Sequence, residues 1–174
     1  MTEISFFRTD ILPLKNELFR LALRITLNRD DAEDVVQETM LKVWNRREQW
    51  SELESIEAFC LTICRNVALD KMKRADSQNT SLEESGEFEH ADRSYAANPE
   101  EQAVQRDRVE LVRKLVGQLP EKQRTCMQLR DMEGKAYKDI AQVMGITEQQ
   151  VKVNIFRARQ TIKQKFLQIE HHGL

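Results

Sequence analysis

Glycine and proline are scarce here, at 5 and 3 of 174 residues. A collagen-like or low-complexity chain needs far more of both. Cysteine is scarce too, at 3. Three thiols cannot all pair within one chain, so a reducing cytoplasm is the simplest setting. No apolar run approaches the ~20 residues that cross a bilayer, so a membrane protein is not expected. Met1 to Asp10 has no basic flank followed by an apolar core, and no secretory signal is expected. A wholly disordered chain would carry more net charge than −2 and fewer apolar residues than 40%. The sequence shows no glycine-rich phosphate loop, nucleophile elbow or pair of catalytic carboxylates. Neither an enzyme nor a cofactor is expected.

The small net charge hides a pattern. Residues 1–75 balance at −1, residues 76–105 at −7 and residues 106–174 at +6. The acidic stretch contains Ser77, Ser81, Ser85, Gly86, Ser94, Asn98 and Pro99 and no helical apolar stripe. It reads as an extended, solvated linker over 76–104, between an N-terminal domain over 1–75 and a C-terminal domain over 105–174. Length permits two small domains.

Both flanks read as helical, since apolar and polar residues do not alternate in sustained runs. The pattern predicts a first helix over 11–27, with Pro13 in its first turn. A second begins near Asp31. From Ala32, the residues Val35, Val36, Thr39, Met40, Val43 and Trp44 fall at offsets of 3, 4, 7, 8, 11 and 12, an amphipathic period. A third covers 56–73. Beyond the linker, helices are expected over 100–116, 121–132 and 137–144, then from Thr147 to at least Phe166. The fold class is all-α, with two small helical domains.

The segment YKDIAQVMGITEQQVKVNIFRAR, Tyr137 to Arg159, has helix-turn-helix spacing at Ala141, Gly145 and Val151. A small residue lets two helices approach, and glycine supplies the turn conformation. Thr147 is a good N-cap. The following helix would present Glu148, Gln149, Gln150, Lys152, Val153 and Asn154 to the major groove. Gln and Asn can pair with adenine, Lys can reach guanine, and Val can meet a thymine methyl. Lys152, Arg157, Arg159, Lys163 and Lys165 form a basic run without an acid, suited to phosphates.

At this point a resemblance becomes specific. Leu119-Pro120, Arg124, Met132-Glu133-Gly134, Tyr137, Ile140-Ala141, Gly145, Val151-Lys152 and Arg157-Ala158-Arg159 resemble the fourth conserved region of bacterial RNA polymerase sigma factors. Asp31 to Glu38, Leu41-Lys42-Val43-Trp44, Ile63 to Asp70 and Lys73-Arg74 resemble the second region. Two regions and a short linker are like the extracytoplasmic-function (ECF) group.

The resemblance implies partners and roles. The face of Asp34, Gln37, Glu38, Leu41 and Lys42 would bind core RNA polymerase at the β′ clamp, with β as a further contact. Trp50, Arg65, Asn66, Lys71, Lys73 and Arg74 would serve the minus-ten element and its melting. Trp50 stands equally as a stacking platform or a core residue. The recognition helix, with Arg157 and Arg159, would bind the minus-thirty-five element. Val153-Asn154 depart from the family's usual small or basic residues. An anti-sigma factor, often membrane-bound in the family, is also implied.

Cys60 and Cys64 lie one turn apart with too few further ligands for a metal site, and inert buried thiols are expected. His171 and His172 receive no role. Two other function classes remain: a dimeric operator-binding regulator, and an inactive mimic that titrates an inhibitor. The first leaves the Asp34–Trp44 resemblance unexplained.

Overall fold

The computed structural model describes residues 1–78 and 99–172, and every regular element among them is helical. Helical backbone starts at α1 (Glu3–Phe6) and runs through a π turn (Phe7–Ile11) and a 3-10 turn (Leu12–Leu14) into α2 (Lys15–Thr26). That is earlier than the expected start at Ile11. Thr2 caps α1 by accepting the Ser5 N–H at 3.1 Å. Phe6 and Phe7 then find aromatic partners further along the chain. Leu27, at φ 56°, ends α2 in the left-handed conformation.

The next helix, α3 (Arg29–Asn45), starts under Asn28, whose side chain accepts the Asp31 N–H at 3.0 Å. In α4 (Ile56–Gln78), the Ser55 hydroxyl accepts the Ala58 N–H at 3.1 Å. Three apolar stripes meet between α2, α3 and α4. Leu18, Leu21, Ala22 and Ile25 face Ala32, Val35, Val36 and Val43, and α4 adds Cys60, Leu61, Ile63, Cys64 and Val67. Each fully buried Leu, Ile or Val contributes about 1.5–3 kcal/mol.

The second half contains α5 (Pro99–Gly117), α6 (Glu121–Met127), α7 (Tyr137–Met144) and α8 (Glu148–His172). The helix expected over 121–132 changes to a π turn at Gln128–Met132. Residues 76–78 and 99–104, mapped to the linker from composition, are helical extensions of α4 and α5. Residues 79–98, the rest of that stretch, lie outside the described residues. Val116, Leu119, Met127 and Ala158 form a small buried cluster of their own.

The remaining apolar residues of the second half do something else. Cys126, Leu129, Ile140, Val143, Met144, Val151 and Ile155 belong to the same buried cluster as the stripes of α2, α3 and α4. An extended linker leaves the mutual orientation of the halves open. Here they are closed on each other. Arg124 is buried at this junction, donating to the Gly117 carbonyl at 2.9 Å and reaching the Ile25 carbonyl at 3.5 Å.

Candidate nucleic-acid interface

Gly145 ends α7 at φ 65°, where a left-handed residue is required. The Ile146 N–H then returns to the Ala141 carbonyl at 3.1 Å. Ile140, Val143 and Met144 from α7 share a buried cluster with Val151 and Ile155 from α8. The start of α8 is closed by a reciprocal pair. The Thr147 hydroxyl accepts the Gln150 N–H at 3.1 Å, and the Gln150 side-chain oxygen accepts the Thr147 N–H at 3.0 Å. This is a capping box. Gln150, expected at the bases, is therefore held in the cap; the Thr-x-x-Gln spacing carries that signal in the sequence. Thr147→Ala is expected to cost about 1 kcal/mol. Thermal unfolding should show a Tm lower by about 2–4 °C.

The outer face of α8 is open. Glu148, Gln149, Lys152, Arg157 and Arg159 are exposed, and Val153 and Asn154 are half-buried. The Asn154 amide donates to the Gln150 carbonyl at 2.8 Å. The Lys152 ammonium lies 5.2 Å from the Tyr137 ring centre, so an aromatic face steers it. Arg159 forms a two-pronged pair with Asp131, which raises its already high pKa. That pair engages Nε and Nη2, which leaves Nη1 free to donate to a phosphate. Phe156 is 65% exposed and lies one turn beyond Lys152. The sequence reading missed it, because a lone aromatic between Ile155 and Arg157 gives no periodic signal.

On the first half, the outward face of α3 carries Asp34, Gln37, Glu38 and Leu41, all exposed, with Lys42 half-buried. Leu41 is 65% exposed. Lys42 pairs with Glu38 at 3.4 Å, one turn away. Lys71 of α4 sits between Asp34, at 3.3 Å, and Asp31, at 3.8 Å. Asn66, Lys73 and Arg74 are exposed along α4. Arg65 is not: it is 8% exposed and forked onto Glu121 of the second half, at 3.1 and 3.0 Å.

Trp50 is a correction. It is 9% exposed, and its indole N–H donates to the Val43 carbonyl at 3.2 Å. Phe6, Phe7 and Trp44 surround it, with ring centres 5.3, 6.3 and 6.0 Å away. No ring face is left for a base, and Trp50 leaves the minus-ten set.

Two family descriptions match. "Sigma-70 region 2" covers residues 11–78, and "Sigma-70, region 4" covers residues 110–162. The RNA polymerase sigma-H factor of Pseudomonas aeruginosa is 30% identical over 160 residues, covering 88% of this chain and 83% of the relative. The ECF RNA polymerase sigma factor SigL of Mycobacterium tuberculosis is 31% identical, covering 84% and 80%. This chain belongs to the ECF-type RNA polymerase sigma factors.

The identification accounts for the sigma factor's front half, which a dimeric operator-binding regulator left unexplained. A sigma factor serves transcription initiation through its promoter-recognition domains, and the family is non-enzymatic. The fold agrees. The sigma factor RpoE of Bartonella quintana, in its complex with the anti-sigma factor NepR, superposes with a TM-score of 0.74, covering 94% of this chain and 97% of RpoE at 23% identity.

The three thiols of the sigma factor are buried. Burial pushes Cys60 and Cys64 up to about 12 and Cys126 up to about 11. At neutral pH they stay protonated and unreactive. Among the described residues no cluster of His, Cys, Asp and Glu is suited to a metal ion, and no helix is long and apolar enough to cross a membrane.

Proposed function

We propose that this sigma factor binds core RNA polymerase through α3, reads and helps to open the minus-ten element with α4, and reads the minus-thirty-five element with α8. The core contacts are Asp34, Gln37, Glu38, Leu41 and Lys42 on the β′ clamp, with the C-terminal half on β. An acidic stripe with one exposed leucine suits a basic helical partner. Arg65, Asn66, Lys71, Lys73 and Arg74 serve the opened strand, where charge follows the backbone. Gln149, Lys152, Val153 and Asn154 face the bases, Phe156 adds an apolar contact, and Arg157 and Arg159 hold phosphates. The cytoplasm is the place of action. By analogy with the complexed Bartonella protein, an anti-sigma factor is a further partner.

One observation carries this reading. A capped α8 buries Val151, Ile155 and Ala158 and turns Gln149, Lys152, Phe156 and Arg157 outward. Lys152→Ala in the holoenzyme is expected to weaken promoter binding about tenfold and to relax preference at one base position. Arg157→Ala should weaken all promoters alike and reduce the salt slope by about 1. Footprints across a salt series check both. Unchanged minus-thirty-five protection in both variants would remove α8 from the promoter.

A further inference from the structure

Two cations on the outer face of α8 are held by residues from outside that helix. Asp131 lies in the π turn Gln128–Met132. Its carboxylate takes Nε and Nη2 of Arg159, 28 residues further along the chain. Tyr137 opens α7, and the Lys152 ammonium lies 5.2 Å from the centre of its half-buried ring. The ring is itself fixed. The Arg130 guanidinium lies 4.2 Å from the ring centre, and its Nη1 donates to the Lys135 carbonyl at 2.8 Å. One corner, made of the π turn and the first turn of α7, therefore steers a base-facing and a phosphate-facing residue together.

Charge alone does not account for this corner. The Asp131 side chain is 33% exposed beside a surface meant for DNA, where an acid repels phosphates. Positioning gives it a use. Lysine and arginine carry the largest rotamer entropy of the side chains, and a DNA contact has to offset its loss. A side chain held before the DNA arrives has already lost it. The fork onto Asp131 also fixes the guanidinium plane, which sets the direction of the remaining Nη1. The Arg159 side chain stays 53% exposed, so the held guanidinium is reachable.

We infer that Asp131 and Tyr137 are positioning residues for promoter recognition: Asp131 aims Arg159 at a phosphate, and Tyr137 aims Lys152 at a base edge. The inference rests on the promoter reading of α8. Loss of the negative charge at 131 then weakens binding, against the sign that simple repulsion requires. The ring at 137 governs preference at the base that Lys152 reads.

The test uses holoenzyme and a fluorescent promoter duplex that the wild-type holoenzyme selects from a randomised library. Asp131→Ala should weaken binding about two- to fivefold in anisotropy titrations, although an acid is gone. In an Arg159→Ala background the sign should reverse, with Asp131→Ala tightening binding about twofold, since only its repulsion is left to remove. Charge acting alone tightens binding in both backgrounds, and a folding defect weakens it in both. Tyr137→Phe keeps the ring and should keep the base preference in repeated selections. Tyr137→Leu should flatten that preference about two- to fivefold at one position and change nothing further in an Lys152→Ala background. Asp131→Ala that leaves binding unchanged or tighter would overturn the positioning role, and so would the same sign in both backgrounds. Preference kept in Tyr137→Leu, or lost in Tyr137→Phe, would overturn it as well. If Arg159→Ala and Lys152→Ala themselves leave binding unchanged, the promoter reading of α8 fails and takes the positioning role with it.

Discussion

Reversing both carboxylates on the outer face of α3, with Asp34→Lys and Glu38→Lys, is expected to weaken core-polymerase binding about 100-fold. Each reversal replaces an attraction to a basic partner by a repulsion, at about 1.4 kcal/mol apiece. The cost to the fold is small. Among the described residues, Asp34 pairs with the surface Lys71, and Glu38 with Lys42 on its own helix. Exposed pairs of this kind are worth about 0–1 kcal/mol. Circular dichroism should therefore show an unchanged helix content and a Tm within a few degrees of wild type, while anisotropy titration with labelled polymerase shows the loss. Lys71→Ala separates the two effects. It removes the fold contribution of Asp34 and leaves the acid free, so core binding should persist. Unchanged affinity in the double reversal would move the polymerase contact off α3.

The second large effect concerns stability. Trp50→Ala is expected to cost about 3–5 kcal/mol, the range for a large aromatic removed from a core. The ring is enclosed by Phe6, Phe7 and Trp44, so the surroundings have little freedom to refill the space. The indole also satisfies the Val43 carbonyl at the end of α3. Against a typical stability of about 5–15 kcal/mol, that leaves the N-terminal half marginal. Thermal unfolding should show a Tm lower by about 10 °C. Trp50→Leu tells core from stacking. It keeps the apolar volume in part and removes the aromatic face, so promoter opening by the holoenzyme should survive in it if the ring serves the core. Loss of opening with an unchanged Tm would return Trp50 to the DNA.

Local patterns were legible where chemistry was local. The offsets from Ala32 to Val43 place their residues in the core, because a 3.6-residue period has one solution on a helix. The helix over 137–144 begins and ends as expected, since Gly145 supplies the turn. Thr147 is a cap as expected, and Gln150 completes its capping box. The helical start at Glu3 had no visible period, because Phe6 and Phe7 are held by residues some forty positions later. Arg65 sits within a basic half-helix and reads as free. Its partner Glu121 is 56 residues away, beyond the reach of any local pattern. The closed junction is the part that only three-dimensional structure displays. It pairs Arg65 with Glu121 of the second half.

Run-off transcription tests the central claim most directly. Purified core polymerase, with and without this chain, is presented with a promoter library, and the 5′ ends of the RNA are sequenced. The chain should confer initiation at a restricted set of promoters that share a minus-ten and a minus-thirty-five element at constant spacing. Tight duplex binding by the chain alone, with no chain-dependent starts, would contradict it.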